Sequence, residues 1–140
     1  EKNINLVLET GNNAMVPSAW LGKKLIDDIG SDRLRILWDP ANSLYANEPT
    51  YPDGWEALKD GYIGHFHIKD AKVNMPHAHV ESCEMGKGDM APYLDPLANE
   101  MKLSNYNGYI SLESVYRPDG GSFEDGYRAS LPKFKELFDW

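Results

Sequence analysis

The stretch Gly64-His65-Phe66-His67-Ile68-Lys69-Asp70 decides how the rest of the chain is read. Residues 62–68 carry aromatic and β-branched side chains suited to a short strand, and two imidazoles, an ammonium and a carboxylate crowd around its far end. Side chains alternate along a strand, so His65 and His67 point one way and Phe66 the other. One face is apolar, and the other is able to hold a metal or a proton. His65 reads as a satisfied interior imidazole, or as one that supports a site beside it. His67 reads as a ligand, because three other strands end in the same manner.

The first of these is the apolar run Ile4-Asn5-Leu6-Val7-Leu8-Glu9, which stops at a carboxylate before the turn-forming residues 10–13. Leu34-Arg35-Ile36-Leu37-Trp38 stops at Asp39, and Pro40 bars its continuation as a central strand. Tyr109-Ile110-Ser111-Leu112-Glu113 is the last. Helices separate them. Pro17 and Ser18 open one with apolar residues at helical spacing, closed by Gly30. A short helix over 54–59, with Asp53 as its cap, leads into the histidine strand. Residues 71–89 show no sustained period and read as a long loop, functional or mobile, with His77 and His79 in solvent. A helix over 90–101 follows, with Pro96 placed to kink it, and a final helix spans 123–138 with Pro132 in the same position.

Four strand-then-helix units predict an α/β fold of parallel strands joined by right-handed crossovers, with ligand sites at the carboxyl edge of the sheet. Glu9, Asp39, His67 and Glu113 each stand at a strand's C-terminal end, so they converge on that edge. Three carboxylates and one imidazole suit manganese, magnesium, zinc, cobalt or iron. The bland account, four unrelated polar strand ends bonded to loops, is acceptable for any one residue and strained for four in succession.

The 140 residues, 41% of them hydrophobic, are enough for one globular segment with a sizeable core. The net charge of −8 is spread along the chain and repels polyphosphate, so nucleic acid is a poor partner. The single cysteine, Cys83, excludes an internal disulfide and a thiolate zinc cluster. No apolar run approaches a membrane span or a signal peptide, and a cytoplasmic setting is expected.

The strings Leu8-Glu9, Trp38-Asp39-Pro40-Ala41-Asn42, His65 to Asp70, Gly86-Lys87-Gly88-Asp89 and Gly108 to Glu113, in this order, give the chain a specific resemblance. It resembles the sugar phosphate isomerase/epimerase family of xylose isomerase-like TIM barrels, within the AP endonuclease family 2 superfamily. The resemblance implies a parallel (βα)4 unit like the C-terminal half of a TIM (β/α)8 barrel. It also implies one divalent ion held by Glu9, Asp39, His67 and Glu113. In ketose epimerases of this family the two glutamates move a proton beside the substrate carbonyl, and Glu9 and Glu113 occupy the matching positions. The implied activity is a divalent-metal-dependent sugar or sugar-phosphate isomerase/epimerase working through a metal-stabilised enediolate.

The family's barrel has eight strands and this chain offers four, which leaves two edges unpaired. A missing N-terminal half-barrel, or a homo-oligomer in which another copy supplies the partner edge, would close them. Asn42 stands where some relatives have a histidine, as a hydrogen-bond donor to substrate. Val73 replaces an arginine that several free-ketose epimerases use. Lys69 is a candidate contact for a phosphate or carboxylate of the substrate, unless it is a solvated charge paired with Asp70; Arg117 is a second candidate, and His65 a third contact. Two other readings compete. An endonuclease IV-like repair enzyme needs further histidines, which Val80 to Met85 does not supply. A non-catalytic metal- or sugar-binding relative would keep the site and lose the reaction.

Overall fold

The structure is a computed structural model that describes residues 4–12 and 14–139. In chain order it holds β1 (Leu6–Glu9), α1 (Ala19–Ile29), β2 (Leu34–Trp38), α2 (Pro40–Tyr45), α3 (Trp55–Leu58), β3 (Ile63–Ile68), β4 (Asp70–Asn74), β5 (His79–Cys83), α4 (Ala91–Leu103), β6 (Tyr109–Leu112) and α5 (Phe123–Phe138). Strands β1, β2, β3 and β6 form one parallel sheet in that order, and β4 and β5 form a separate antiparallel hairpin. The expected α/β architecture with parallel strands and intervening helices is therefore present.

Period-2 alternation sorts the sheet's side chains onto two faces. Ile36, Trp38, Phe66 and Ile68 face the helices and are all but removed from solvent. Phe66 is the hub: its ring meets Trp38 at 5.7 Å, Trp55 at 6.4 Å and Tyr106 edge-on at 5.0 Å. The opposite face carries His65 and His67. The register sets His67 beside Ser111 and Glu9 beside Leu37, so strand ends level with one another deliver their polar residues to one edge.

Local chemistry fixes the helix ends. Ser18 caps α1 by accepting from the Leu21 amide, and Gly30 ends it in the left-handed conformation at φ 64°. Asp39 caps α2 by accepting from the Ala41 amide at 3.0 Å, with Pro40 in the first turn. Ser122 and Asp125 form a reciprocal capping box on α5.

Several sequence expectations are corrected. Asp53 caps nothing: residues 50–54 already form a wide helical turn, and the residue preceding α3 is Gly54. Helices α4 and α5 each run as one element with Pro96 and Pro132 inside them, as the sequence reading had them. The supposed loop over 71–89 contains the β4–β5 hairpin. It escaped notice because half of the hairpin's strand residues are exposed, so no apolar face imposes a visible period. The first strand starts at Leu6, and residue 13 of the predicted turn lies outside the described residues.

Strands β1 and β6 lie at the two edges of the sheet, and large apolar side chains stand exposed there, Leu6 at 62% and Tyr109 at 79%. Among the described residues no helix is long and apolar enough to cross a membrane.

Candidate metal centre

Three of the four strand-end residues meet directly. His67 Nδ1 lies 3.1 Å from a Glu9 carboxylate oxygen and 3.7 Å from one of Glu113. One potential ligand atom from each of Glu9, His67 and Glu113 lies within 4.8 Å of the other two. Two carboxylates and an imidazole at this spacing fit a divalent cation that prefers oxygen and nitrogen donors.

Asp39 reaches the same cluster through a fourth side chain. Lys69 Nζ lies 2.5 Å from Asp39 Oδ2 and 2.8 Å from Glu113 Oε2, bridging the two carboxylates. Asp39 is fully buried and its other oxygen caps α2, so both of its oxygens are engaged. Burial pushes the Asp39 carboxyl up to about 6 against the pull of Lys69. Burial also works against the Lys69 ammonium, but Asp39 and Glu113 outweigh it and hold the lysine above its usual range. Glu113 is drawn below the usual carboxylate range because Lys69 outweighs the opposing effect of burial. Lys69 is thus not paired with Asp70, as one sequence reading had it.

Asp70 is bound elsewhere. Its carboxylate accepts hydrogen bonds from the backbone amides of Gly86 at 2.9 Å, Gly88 at 2.9 Å and Met90 at 3.0 Å. The Gly86–Asp89 turn is wrapped around a carboxylate of the chain itself. Gly88 is required there, because a Cβ would meet the Ala71 carbonyl at 2.5 Å and Cys83 Sγ at 2.6 Å.

His65 and His67 share a face as expected, their rings edge to face at 5.2 Å. His65 Nε2 is 2.7 Å from the Ser111 hydroxyl, and burial, followed by the charge of His67, lowers its pKa. It stands behind His67 without reaching the carboxylates by any described contact. Arg117 lies over the Phe123 ring at 5.6 Å.

A cavity of about 480 Å³ opens over the cluster, with Glu9, Glu113, Lys69 and Asn42 in its wall. The sequence did not single out Tyr45, Val80 and Ser82, which also line it. The signal for the last two was the short alternation on either side of residues 75–78, too brief and too polar to register as a strand pair. Thr10 was also passed over as a turn residue. It is fully buried, its hydroxyl accepts from the Asp39 amide at 3.1 Å, and its carbonyl accepts from the Asn42 side-chain amide at 2.6 Å. Asn42 therefore gives one amide N–H to the backbone, and among the described residues its Oδ1 has no partner.

The model of the family described as xylose isomerase-like TIM barrel matches residues 1–137. No match was found among curated proteins. Solved structures similar to the chain include a D-psicose 3-epimerase crystallised in the presence of D-fructose, at 19% identity and TM-score 0.68 over 96% of this chain and 49% of that one. The 3-keto-D-glucoside 4-epimerase of E. coli, in its apo form, aligns at 21% identity and TM-score 0.66, covering 94% of this chain and 46% of that one. An IolI protein with a bound zinc atom aligns at 15% identity and TM-score 0.68, covering 96% and 48%. The chain spans about half the length of these solved proteins.

Proposed function

We propose, for a chain that belongs to the xylose isomerase-like TIM barrel family, that it supplies the metal-binding half of a divalent-metal-dependent sugar isomerase or epimerase. The observation that carries this reading is the meeting of Glu9, His67 and Glu113 within 4.8 Å at the carboxyl edge of a parallel sheet, beneath an open cavity. Asp39 completes the ligand set once Lys69 gives up its oxygen. We assign the 140 residues to the C-terminal half of a barrel, with the β1 and β6 edges covered by the other half or by another copy. The expected setting is the cytoplasm.

Glu9, Asp39, His67 and Glu113 would hold a divalent ion, which when bound would supply the polarisation of a substrate carbonyl that acidifies the adjacent carbon. The residues do the rest. Glu9 on β1 and Glu113 at the end of β6 come from strands on either side of β3, which carries His67, and in this reading one carboxylate removes the proton from the carbon beside the carbonyl and the other returns it on the opposite face. Lys69, held at 2.8 Å by Glu113, keeps that carboxylate ionised and ready to accept. His65 and Ser111 fix the strand face from which His67 projects.

The test is exchange of solvent deuterium into the carbon beside the carbonyl of a ketose or ketose phosphate by the metal-supplied full-length protein. Exchange is expected, and Glu113→Gln, which keeps shape and deletes charge, abolishes it. Unaltered exchange in that variant removes Glu113 from the reaction. Cleavage of an abasic duplex with no exchange on a broad sugar panel favours the repair enzyme, and silence in both assays favours a binding protein.

A further inference from the structure

We infer that Lys69 is a built-in competitor for the metal: its ammonium and the ion are alternative partners of Asp39 Oδ2, so the site takes up a divalent cation only by turning the lysine off that oxygen. The inference rests on the metal-dependent reading above and deepens it. Asp39 has a single oxygen to give. Its Oδ1 accepts from the Ala41 amide at 3.0 Å, and its own amide donates to the Thr10 hydroxyl at 3.1 Å, so the residue is held from two sides. Oδ2 is the oxygen that remains, and Lys69 Nζ stands 2.5 Å from it.

The manner of that contact marks an exchangeable occupant. Lys69 donates a hydrogen bond to Glu113 Oε2 at 2.8 Å, whereas on Asp39 it sits as a charge alone: Oδ2 is buried and, among the described residues, has no hydrogen-bond partner. Ionic attraction without a directional bond is also how a hard divalent cation holds a carboxylate. The two cannot share the oxygen. Cations drawn to one atom stand against each other, and here the aspartate is fully buried and little water reaches the site to screen them.

The geometry also leaves the displaced ammonium well held. Glu113 turns Oε1 toward His67 at 3.7 Å and Oε2 toward Lys69, so it meets the ion through one oxygen and keeps the lysine on the other. The Tyr45 ring lies 5.9 Å from Nζ, in the wall of the same cavity. Leaving Asp39 thus removes one of the three contacts of a side chain on a flexible four-carbon stem, while the capped aspartate stays where it is. Buried Asp39 always has a counter-charge, the ammonium before the ion and the ion after it. The consequence is a lowered apparent affinity for metal, in proportion to the fraction of molecules in which Lys69 has already left.

The experiment titrates the chelator-treated full-length protein with manganese by calorimetry, beside Lys69→Met and, should that variant fold poorly, Lys69→Gln, and determines crystal structures of the parent with and without manganese. The variants are expected to bind manganese at least about tenfold more tightly than the parent. In the manganese-loaded parent, Lys69 Nζ is expected beyond about 4 Å from Asp39 Oδ2, outside ion-pair distance, and still on Glu113. Equal or weaker binding by the variants, or an ammonium still on Asp39 beside the bound ion, overturns the inference. Manganese binding by none of the proteins overturns it together with the metal centre. Tighter binding by the variants, with no deuterium exchange into a ketose by the loaded parent, defeats the isomerase reading and leaves this one standing; exchange by the parent with unchanged binding in the variants does the reverse.

Discussion

Lys69 Nζ and Asp39 Oδ2 are 2.5 Å apart in a place where water hardly reaches, the aspartate being fully buried and the lysine side chain 10% exposed. A buried ion pair that loses one member leaves the other uncompensated, at a cost of about 3 kcal/mol or more. Lys69→Met should therefore lower unfolding stability by about that amount in urea titration. Adding Asp39→Asn to it should restore part of the loss, because the orphaned charge is then gone. A Lys69→Met protein as stable as the parent would show that the pair carries no structural weight.

Asn42 separates substrate from metal. Asn42 lines the cavity and its Oδ1 makes no described hydrogen bond, so Asn42→Leu should raise KM for the sugar roughly tenfold, the worth of one hydrogen bond to a buried acceptor, and leave metal affinity unchanged. Loss of metal binding in this variant would mean that Asn42 supports the ligands instead of reading the sugar.

The turn wrapped around Asp70 has no room for a side chain at Gly88. A Cβ there would stand 2.5 Å from the Ala71 carbonyl and 2.6 Å from Cys83 Sγ, both on the hairpin. Gly88→Ala should destabilise the protein by about 2 kcal/mol or more, since the backbone must shift and the Asp70 hydrogen bonds with it. Gly120, whose Cβ would meet nothing within 4 Å but whose φ is +72°, should be less affected by alanine. Equal stability losses at the two positions would contradict the crowding argument.

How far the chain can be read without coordinates depends on what signal each part carries. The four parallel strands are legible because each is an apolar run that stops at a polar residue, and the long helices because Ala19 to Ile29 and Phe123 to Phe138 repeat at helical spacing. Glu9, Asp39, His67 and Glu113 share a strand-end position, which the sequence displays directly. The hairpin is not legible, since Val80 and Ser82 face a cavity and their neighbours face water, so neither face is continuously apolar. Nor is the partnership of Lys69. Sequence neighbours suggest Asp70, whereas the strand direction sends the ammonium across the sheet edge to Asp39 and Glu113, and Asp70 turns back to the Gly86 turn. Such pairings arise from tertiary approach between residues some 30 to 44 apart in the chain, which no local pattern encodes.

Alkaline pH should expose the hairpin's hidden thiol. Burial, reinforced by the Asp70 charge, pushes Cys83 up to about 12 from its ordinary value of 9.0. The unfolded chain therefore loses this proton first, so the thiol's contribution to stability is complete below pH 9.0 and disappears as pH climbs through about 12. Unfolding titrations of Cys83→Ala should show a flatter decline over that window than the parent. Tyr45 and Tyr106, each raised to about 12 by burial, add to the decline in both proteins and cancel in the comparison. Parallel declines would mean that the thiol ionises as freely folded as unfolded.

The central claim is that residues distant in the chain gather around one cation, and manganese titration followed by electron paramagnetic resonance tests it most directly. The full-length protein should take up one equivalent of manganese per site. His67→Ala, which removes the imidazole lying 3.1 Å from Glu9 and 3.7 Å from Glu113, should weaken that uptake by about tenfold or more. Uptake by the variant equal to that of the parent, or no uptake by the parent with manganese, magnesium, cobalt or zinc, would contradict the account.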